Sequence, residues 1–162
     1  MAGDRGEDEA IFSSLYPALR RFAGAVRPAG ADADDLVQEA LTRTLALRSL
    51  ATIDDPLNYL RTAMTRIASN WARGARRAAA RRPVEGAPLD VVDVYPSDLE
   101  DLLRAPPRAR AVLFLTVVEQ HSYRDAAAIV GVSEGAARQL ASRALRGLRA
   151  DVRAELQPGE GT

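Results

Sequence analysis

Cysteine and lysine are both missing from this 162-residue chain, histidine occurs once and aromatic residues make up only 5%. Without cysteine there can be no disulfide, no thiolate metal site and no cysteine nucleophile. The single histidine, His121, excludes histidine metal clusters and leaves any serine–histidine arrangement one base to draw on. No apolar run approaches the roughly 20 residues of a membrane span. The acidic, polar stretch at residues 1–9 has none of the features of a signal peptide. Net charge is lacking too: 22 basic residues, all arginine, face 22 acidic ones, so no overall field commits the chain to nucleic acid or membrane. The expectation is a cytoplasmic, soluble protein that is not an enzyme and has no cofactor and no metal. Arginine without lysine, beside abundant alanine, reflects a GC-rich genome and carries no function by itself.

What is present favours helices. Hydrophobic residues reach 47%, enough for globular cores, and with so few aromatics those cores must be built from Leu, Val, Ile and Ala. A first helix is expected over about 9–26, interrupted or bent near Pro17 and ended by Pro28-Ala-Gly30. A second begins at Ala31-Asp-Ala-Asp-Asp-Leu, with Asp32 or Asp34 at its positive end, and runs to about Leu47. Asp55 and Pro56 form a cap and first-turn signal for a long third helix reaching about Ala80. Shorter helices are expected at about 98–103, 107–119, 123–130 and 134–152. Val91–Tyr95 is strand-like but reads as extended linker.

Charge is balanced overall and segregated locally. From Pro56 to Pro83 seven arginines and no acid give +7. From Val84 to Pro107 six acids and Arg104 give −5, in a stretch with four prolines that follows directly on Pro83. From Arg108 to Arg153 the balance is +4. Two basic helical blocks separated by an acidic, proline-containing connector suit nucleic-acid contact better than two merely solvated faces.

Each block has a face to read. On the third helix Leu57, Leu60, Met64, Ile67, Ala68, Trp71 and Ala75 fall on one stripe, so Trp71 is a core residue. The opposite side collects Thr62, Thr65, Arg66, Ser69, Arg73, Arg76 and Arg77, donors suited to phosphates and exposed bases. Further on, Ser122 and Asp125 form a capping-box pair. Gly131 stands where a helix exits left-handed, and Ser133 caps the next helix. That last helix turns Ala137, Ala141, Ala144, Leu145, Leu148 and Val152 inward. Gln139, Ser142, Arg143, Arg146 and Arg149 point outward, with Arg138 and Leu140 at the margins. This is the grammar of a helix-turn-helix with a recognition helix for a major groove.

In these residues the chain resembles an extracytoplasmic-function (ECF) sigma factor, from about Leu15 to Val152. Asp34-Asp-Leu-Val-Gln-Glu39 with Leu41-Thr-Arg43 resembles the helix that docks on the RNA polymerase clamp. Pro56-x-x-Tyr-Leu-x-Thr-x-x-Thr-Arg66-Ile-Ala is similar to the helix that opens and reads the minus-ten element. Pro106-Pro-Arg-x-Arg-x-Val-x-x-Leu and Ser122-Tyr-x-x-x-Ala lead into a region similar to the minus-thirty-five reader. Thr65-Arg66 and Arg138-Gln-Leu-Ala-Ser-Arg-Ala144 resemble the subgroup that carries an extra C-terminal ligand-pocket-like domain, which is expected to be absent from a chain ending at Thr162. Ala105 and Asn70 depart from the residues common at their positions, and the second bears on promoter choice.

The resemblance implies an all-α protein of two small helical domains, a sigma region 2-like bundle and a sigma region 4-like helix-turn-helix. Their expected extents are an acidic disordered N-terminus at 1–8, the first domain at 9–82, a linker at 83–97, the second domain at 98–153 and a tail at 154–162. It implies that Asp35, Leu36, Gln38, Glu39 and Arg43 hold polymerase. Arg61, Thr65, Arg66, Ser69, Asn70, Arg73 and Arg76 would meet the minus-ten strand, and Ser133, Arg138, Gln139, Ser142, Arg143 and Arg146 the minus-thirty-five duplex. The implied partners are core RNA polymerase and promoter DNA, with room for an anti-sigma factor. A free-standing dimeric helix-turn-helix regulator remains the alternative, although it gives the Asp-Leu-Val-Gln-Glu helix no purpose.

Overall fold

The computed structural model describes residues 2–81 and 104–155. Those residues form six α-helices and no strand: α1 (Ala2–Val26), α2 (Ala33–Leu45), α3 (Pro56–Arg81), α4 (Pro107–Leu113), α5 (Tyr123–Val130) and α6 (Glu134–Glu155). A 3-10 turn at Leu50–Thr52 joins α2 to α3, and a π-helical turn at Phe114–Val118 extends α4. The helix expected at 98–103, the strand-like Val91–Tyr95 and the linker at 83–97 lie outside the described residues.

The local signals act where the sequence puts them. Asp32 caps α2 by accepting from the Asp34 and Asp35 amides. Asp55 accepts from the Asn58 amide at 3.0 Å and starts α3. Ser122 caps α5 and Ser133 caps α6. Gly131 ends α5 in the left-handed region at φ 78°, where a Cβ would be strained, and its N–H reaches the Ala127 carbonyl.

Three expectations need correction. Helix α1 begins at Ala2 rather than near residue 9, so residues 2–8 are helical. Tertiary contact explains this: the Asp8 carboxylate accepts from the Ser49 hydroxyl and from the Leu50 and Ala51 amides, capping the 3-10 turn from a distance. Pro17 lies inside α1 without interrupting it. Leu145, expected to face inward, is 36% exposed, whereas Ala137 and Ala141 are fully buried.

One apolar cluster runs through both halves of the chain. Phe22, Leu36, Leu60 and Met64 from α1–α3 belong to the same buried group as Val112, Leu115, Val130 and Ala141 from α4–α6. Across the seam the Phe22 and Phe114 rings meet edge to face at 5.7 Å. Polar bonds lie beside them. Arg110 is 3% exposed and donates to the Ala25 and Arg27 carbonyls at 2.9 and 2.7 Å, satisfying the C-terminal end of α1. Burial, then the neighbouring Arg27 charge, pushes its pKa down to about 10, so it remains a cation at neutral pH. The Thr62 hydroxyl donates to the Ile129 carbonyl at 2.8 Å. The two helical halves are thus closed on each other.

Candidate nucleic-acid and polymerase interface

Helix α2 places the docking candidates. Asp35 and Gln38 are exposed, and Arg43 and Glu39 form a surface ion pair at 2.7 Å, one helical turn apart. Asp34 looks back toward α1: its carboxylate accepts from the Tyr16 hydroxyl and from Arg20 Nε at 3.2 Å. The Tyr16 bond, aided by Arg20, holds the Asp34 carboxyl below its usual range and raises the Tyr16 phenol. Leu36 departs from its expected place. It has no exposed surface and is a core residue, because it lies on the apolar stripe that α2 turns toward α1 and α3.

On α3 the apolar stripe forms largely as its spacing demands, with Leu60, Met64, Ile67 and Ala68 buried and Trp71 half-buried against them. The opposite side divides in two. Arg66, Asn70, Arg73 and Arg76 are exposed and Ser69 is half-buried, forming a continuous donor-rich face toward the end of the helix. Arg73 donates to the Asn70 side chain within it. Arg61 and Thr65, expected on the same open surface, are buried at 2% and 0% exposure. Thr65 turns its hydroxyl to the Arg61 carbonyl at 2.8 Å. Arg61 lies 5.5 Å from the centre of the Phe22 ring and bonds Glu119 at 2.5 Å. Helical periodicity sets Arg61 about 140° round α3 from Arg66, beside the apolar stripe, and it carries no information about the second half of the chain, which supplies Glu119.

Helix α6 presents the third surface. Ser133, Arg138, Gln139, Ser142, Arg143 and Arg146 are all exposed. Arg138 is committed to local partners: it pairs with Glu134 at 2.7 Å and stacks over the Tyr123 ring at 4.7 Å. The Ser133 hydroxyl is engaged as a cap, accepting from the Ala136 amide at 3.1 Å. Gln139 and Arg143 lie one turn apart on a helix anchored by Ala137 and Ala141, a geometry that can aim an amide and a guanidinium into a groove. Reasoning from sequence missed Glu119 altogether, and it missed the seam bonds of Arg110 and of Thr62, which it had placed on the open donor face. Their partners lie 58 to 85 positions away, so no local pattern could have found them.

Comparison with known proteins agrees with this division. The sigma-70 region 2 family model matches residues 11–78, covering α1 to α3, and the sigma-70 region 4 model matches 102–148. The RNA polymerase sigma-E factor of Streptomyces coelicolor is 31% identical, with 93% of this chain and 88% of the relative covered. The ECF RNA polymerase sigma factor SigD of Mycobacterium bovis is 29% identical over 94% of this chain and 80% of its own. Among solved structures, the sigma factor RpoE from Bartonella quintana, in complex with the anti-sigma factor NepR, has the same fold. Its TM-score is 0.58 at 23% identity, with 90% of this chain and 96% of that one covered. The region 2 match accounts for the half that a free-standing helix-turn-helix regulator leaves without a purpose, and nothing favours that alternative. Two sigma-70 regions in the family's order, on a chain aligned almost end to end with its relatives, make this protein a member of the sigma-70 family, in its extracytoplasmic-function group.

Proposed function

We propose that this chain binds core RNA polymerase in the cytoplasm and directs it to promoters by two separate reading surfaces. The observation that carries the reading is the pairing of an exposed donor-rich face on α3 with an exposed arginine and glutamine face on α6. Asp35, Gln38, Glu39 and Arg43 are the docking side chains on α2. Arg66, Ser69, Asn70, Arg73 and Arg76 meet the separated minus-ten strand, where bases and phosphates both accept hydrogen bonds. Gln139, Ser142, Arg143 and Arg146 engage the minus-thirty-five duplex, with Ser133 and Arg138 shaping the start of the recognition helix. The chain catalyses no reaction, and the chemistry belongs to the polymerase.

Co-purification with core polymerase, followed by run-off transcription, tests the reading. A double Asp35→Ala and Gln38→Ala variant should fold normally, because both side chains are exposed, and should lose polymerase binding. Undiminished co-purification of that variant would refute the docking assignment.

A further inference from the structure

Glu134 is an unexpected charge on a surface that meets DNA. From Glu134 to Ala150 it is the only acid, beside four arginines. It is exposed in the first turn of α6, the part of a recognition helix that comes nearest to base edges. A carboxylate there is repelled by the phosphates it approaches. An anion at a helix N-terminus, and a Glu four residues before an Arg, each stabilise a helix slightly. Neither effect involves a second helix, yet the geometry around Glu134 does.

Arg138 lies between groups from two helices. Its Nη2 donates to Glu134 Oε1 at 2.7 Å, and its guanidinium lies 4.7 Å from the centre of the Tyr123 ring. Tyr123 is the first residue of α5, fixed by the Ser122 cap that accepts from the Asp125 amide. The guanidinium is therefore drawn back across the helix-turn-helix toward α5. The row that faces a groove is a different one. At about 100° per residue, Gly135, Gln139, Ser142 and Arg146 share the side of α6 away from the buried Ala137 and Ala141. Arg138 stands about 60° to one side of Gly135. In a groove about 12 Å wide, that is the side on which a phosphate strand runs. Its side chain is 59% exposed, so without its two partners it is free to turn to that strand.

We propose that Glu134 and Tyr123 are specificity-determining residues of the reader, because together they hold Arg138 off the DNA backbone. This inference rests on the proposed function and deepens it at the minus-thirty-five surface. On an arbitrary duplex no base contact fixes the pose of α6, and the helix settles wherever an extra cation finds a phosphate. On a promoter the pose is already fixed by base edges. A free Arg138 therefore strengthens sequence-blind binding more than selective binding, and the ratio of the two is what a reader among many competing sites depends on. An exposed ion pair and an exposed cation–π contact are each weak. They act on one guanidinium from two sides, and moving it to a phosphate would leave the Glu134 carboxylate uncompensated beside DNA.

Full-length variants test this, alone and with core polymerase, over a series of salt concentrations. The substrates are a scrambled duplex and the duplexes that the wild-type complex enriches from a random pool. Circular dichroism establishes that each variant is folded. For the free chain on scrambled duplex, Glu134→Gln should raise affinity roughly fivefold and steepen the slope of log affinity against log salt by about 0.9, the share of one phosphate. Tyr123→Leu, which keeps an apolar body without the ring, should shift both in the same direction. Tyr123→Phe, which keeps the ring face, should shift neither. In an Arg138→Gln background most of the gain from Glu134→Gln should vanish, because the acid acts through the arginine. In the polymerase complex, Glu134→Gln should reduce the preference for enriched over scrambled duplex roughly threefold. A gain from Glu134→Gln that is equal with and without Arg138 would reduce the acid to plain repulsion and overturn the proposal. Scrambled binding unmoved by Glu134→Gln would overturn it too, leaving the pair a stabiliser of the helix. If the wild-type complex enriches no sequence while the free-chain shifts occur, the sigma-factor reading fails and the specificity role with it, and only the holding of Arg138 stands.

Discussion

Leu36 and Gln38 are two positions apart on α2, yet one has no exposed surface and the other is open to a partner. Leu36→Ala should therefore cost about 2–5 kcal/mol of stability by leaving a cavity, visible as an earlier denaturation midpoint. Any loss of polymerase binding in that variant would follow from misfolding, and Gln38 is the side chain that reports docking. A second residue-scale expectation concerns the Tyr16–Asp34 bond. The Asp34 carboxyl titrates lower in the folded chain than in the unfolded one. Its contribution is thus present above the ordinary carboxylate range and is lost as pH falls through the lowered value. Tyr16 titrates higher when folded, so its contribution holds below the ordinary phenol range and is lost as pH rises through the raised value. Tyr16→Phe should lower the melting temperature at neutral pH and flatten its decline on the acid side. An unchanged acid limb would show that the bond contributes nothing to stability in solution.

At the scale of the element, α3 carries two surfaces on one helix. Its first half is built into the fold through Arg61, Thr62 and Thr65, whereas its second half presents Arg66, Asn70, Arg73 and Arg76 to solvent. Replacing Arg66 and Arg73 together with Ala should impair open-complex formation by polymerase more than it impairs duplex binding. A template with a pre-melted minus-ten bubble should recover part of the loss, because the remaining contacts no longer have to separate the strands. Equal loss on both templates would mean that these arginines supply general phosphate attraction. Helix α6 behaves differently, for its exposed face is anchored by alanines so small that the helix packs close to its neighbours. Substitutions among Gln139, Ser142 and Arg143 should therefore leave folding intact. Arg143→Ala should reduce promoter occupancy by the polymerase complex without reducing the complex itself, as read by gel shift on promoter and scrambled duplex.

For the whole molecule, the charge pattern sets how the chain meets DNA. The +7 and +4 blocks are offset by the −5 connector together with the acidic N-terminal segment and tail, to a net charge of zero, so the free chain has little net attraction for DNA. Two small readers gain strength when something fixes their separation, because the second contact then forms at high effective concentration. The free protein should show little promoter preference near physiological salt, and the complex with core polymerase should be selective. Competition gel shifts with and without polymerase check this. Strong selective binding by the free chain at two copies per site would contradict it.

Much of this protein was legible from residue order alone. Caps at Asp32, Asp55, Ser122 and Ser133, the left-handed exit at Gly131 and the stripe on α3 depend on neighbours within a turn or two, and local chemistry fixes them. The family followed from motifs of the same short range. The N-terminal start of α1, by contrast, depends on Asp8 reaching Ser49 and its neighbours, 41 to 43 positions away. The burial of Arg61 depends on Glu119, and the capping of α1 on Arg110. A helical period tells which residues share a face. It cannot tell what covers that face, because coverage is set by packing between segments far apart in sequence, and that was decided only by the tertiary structure.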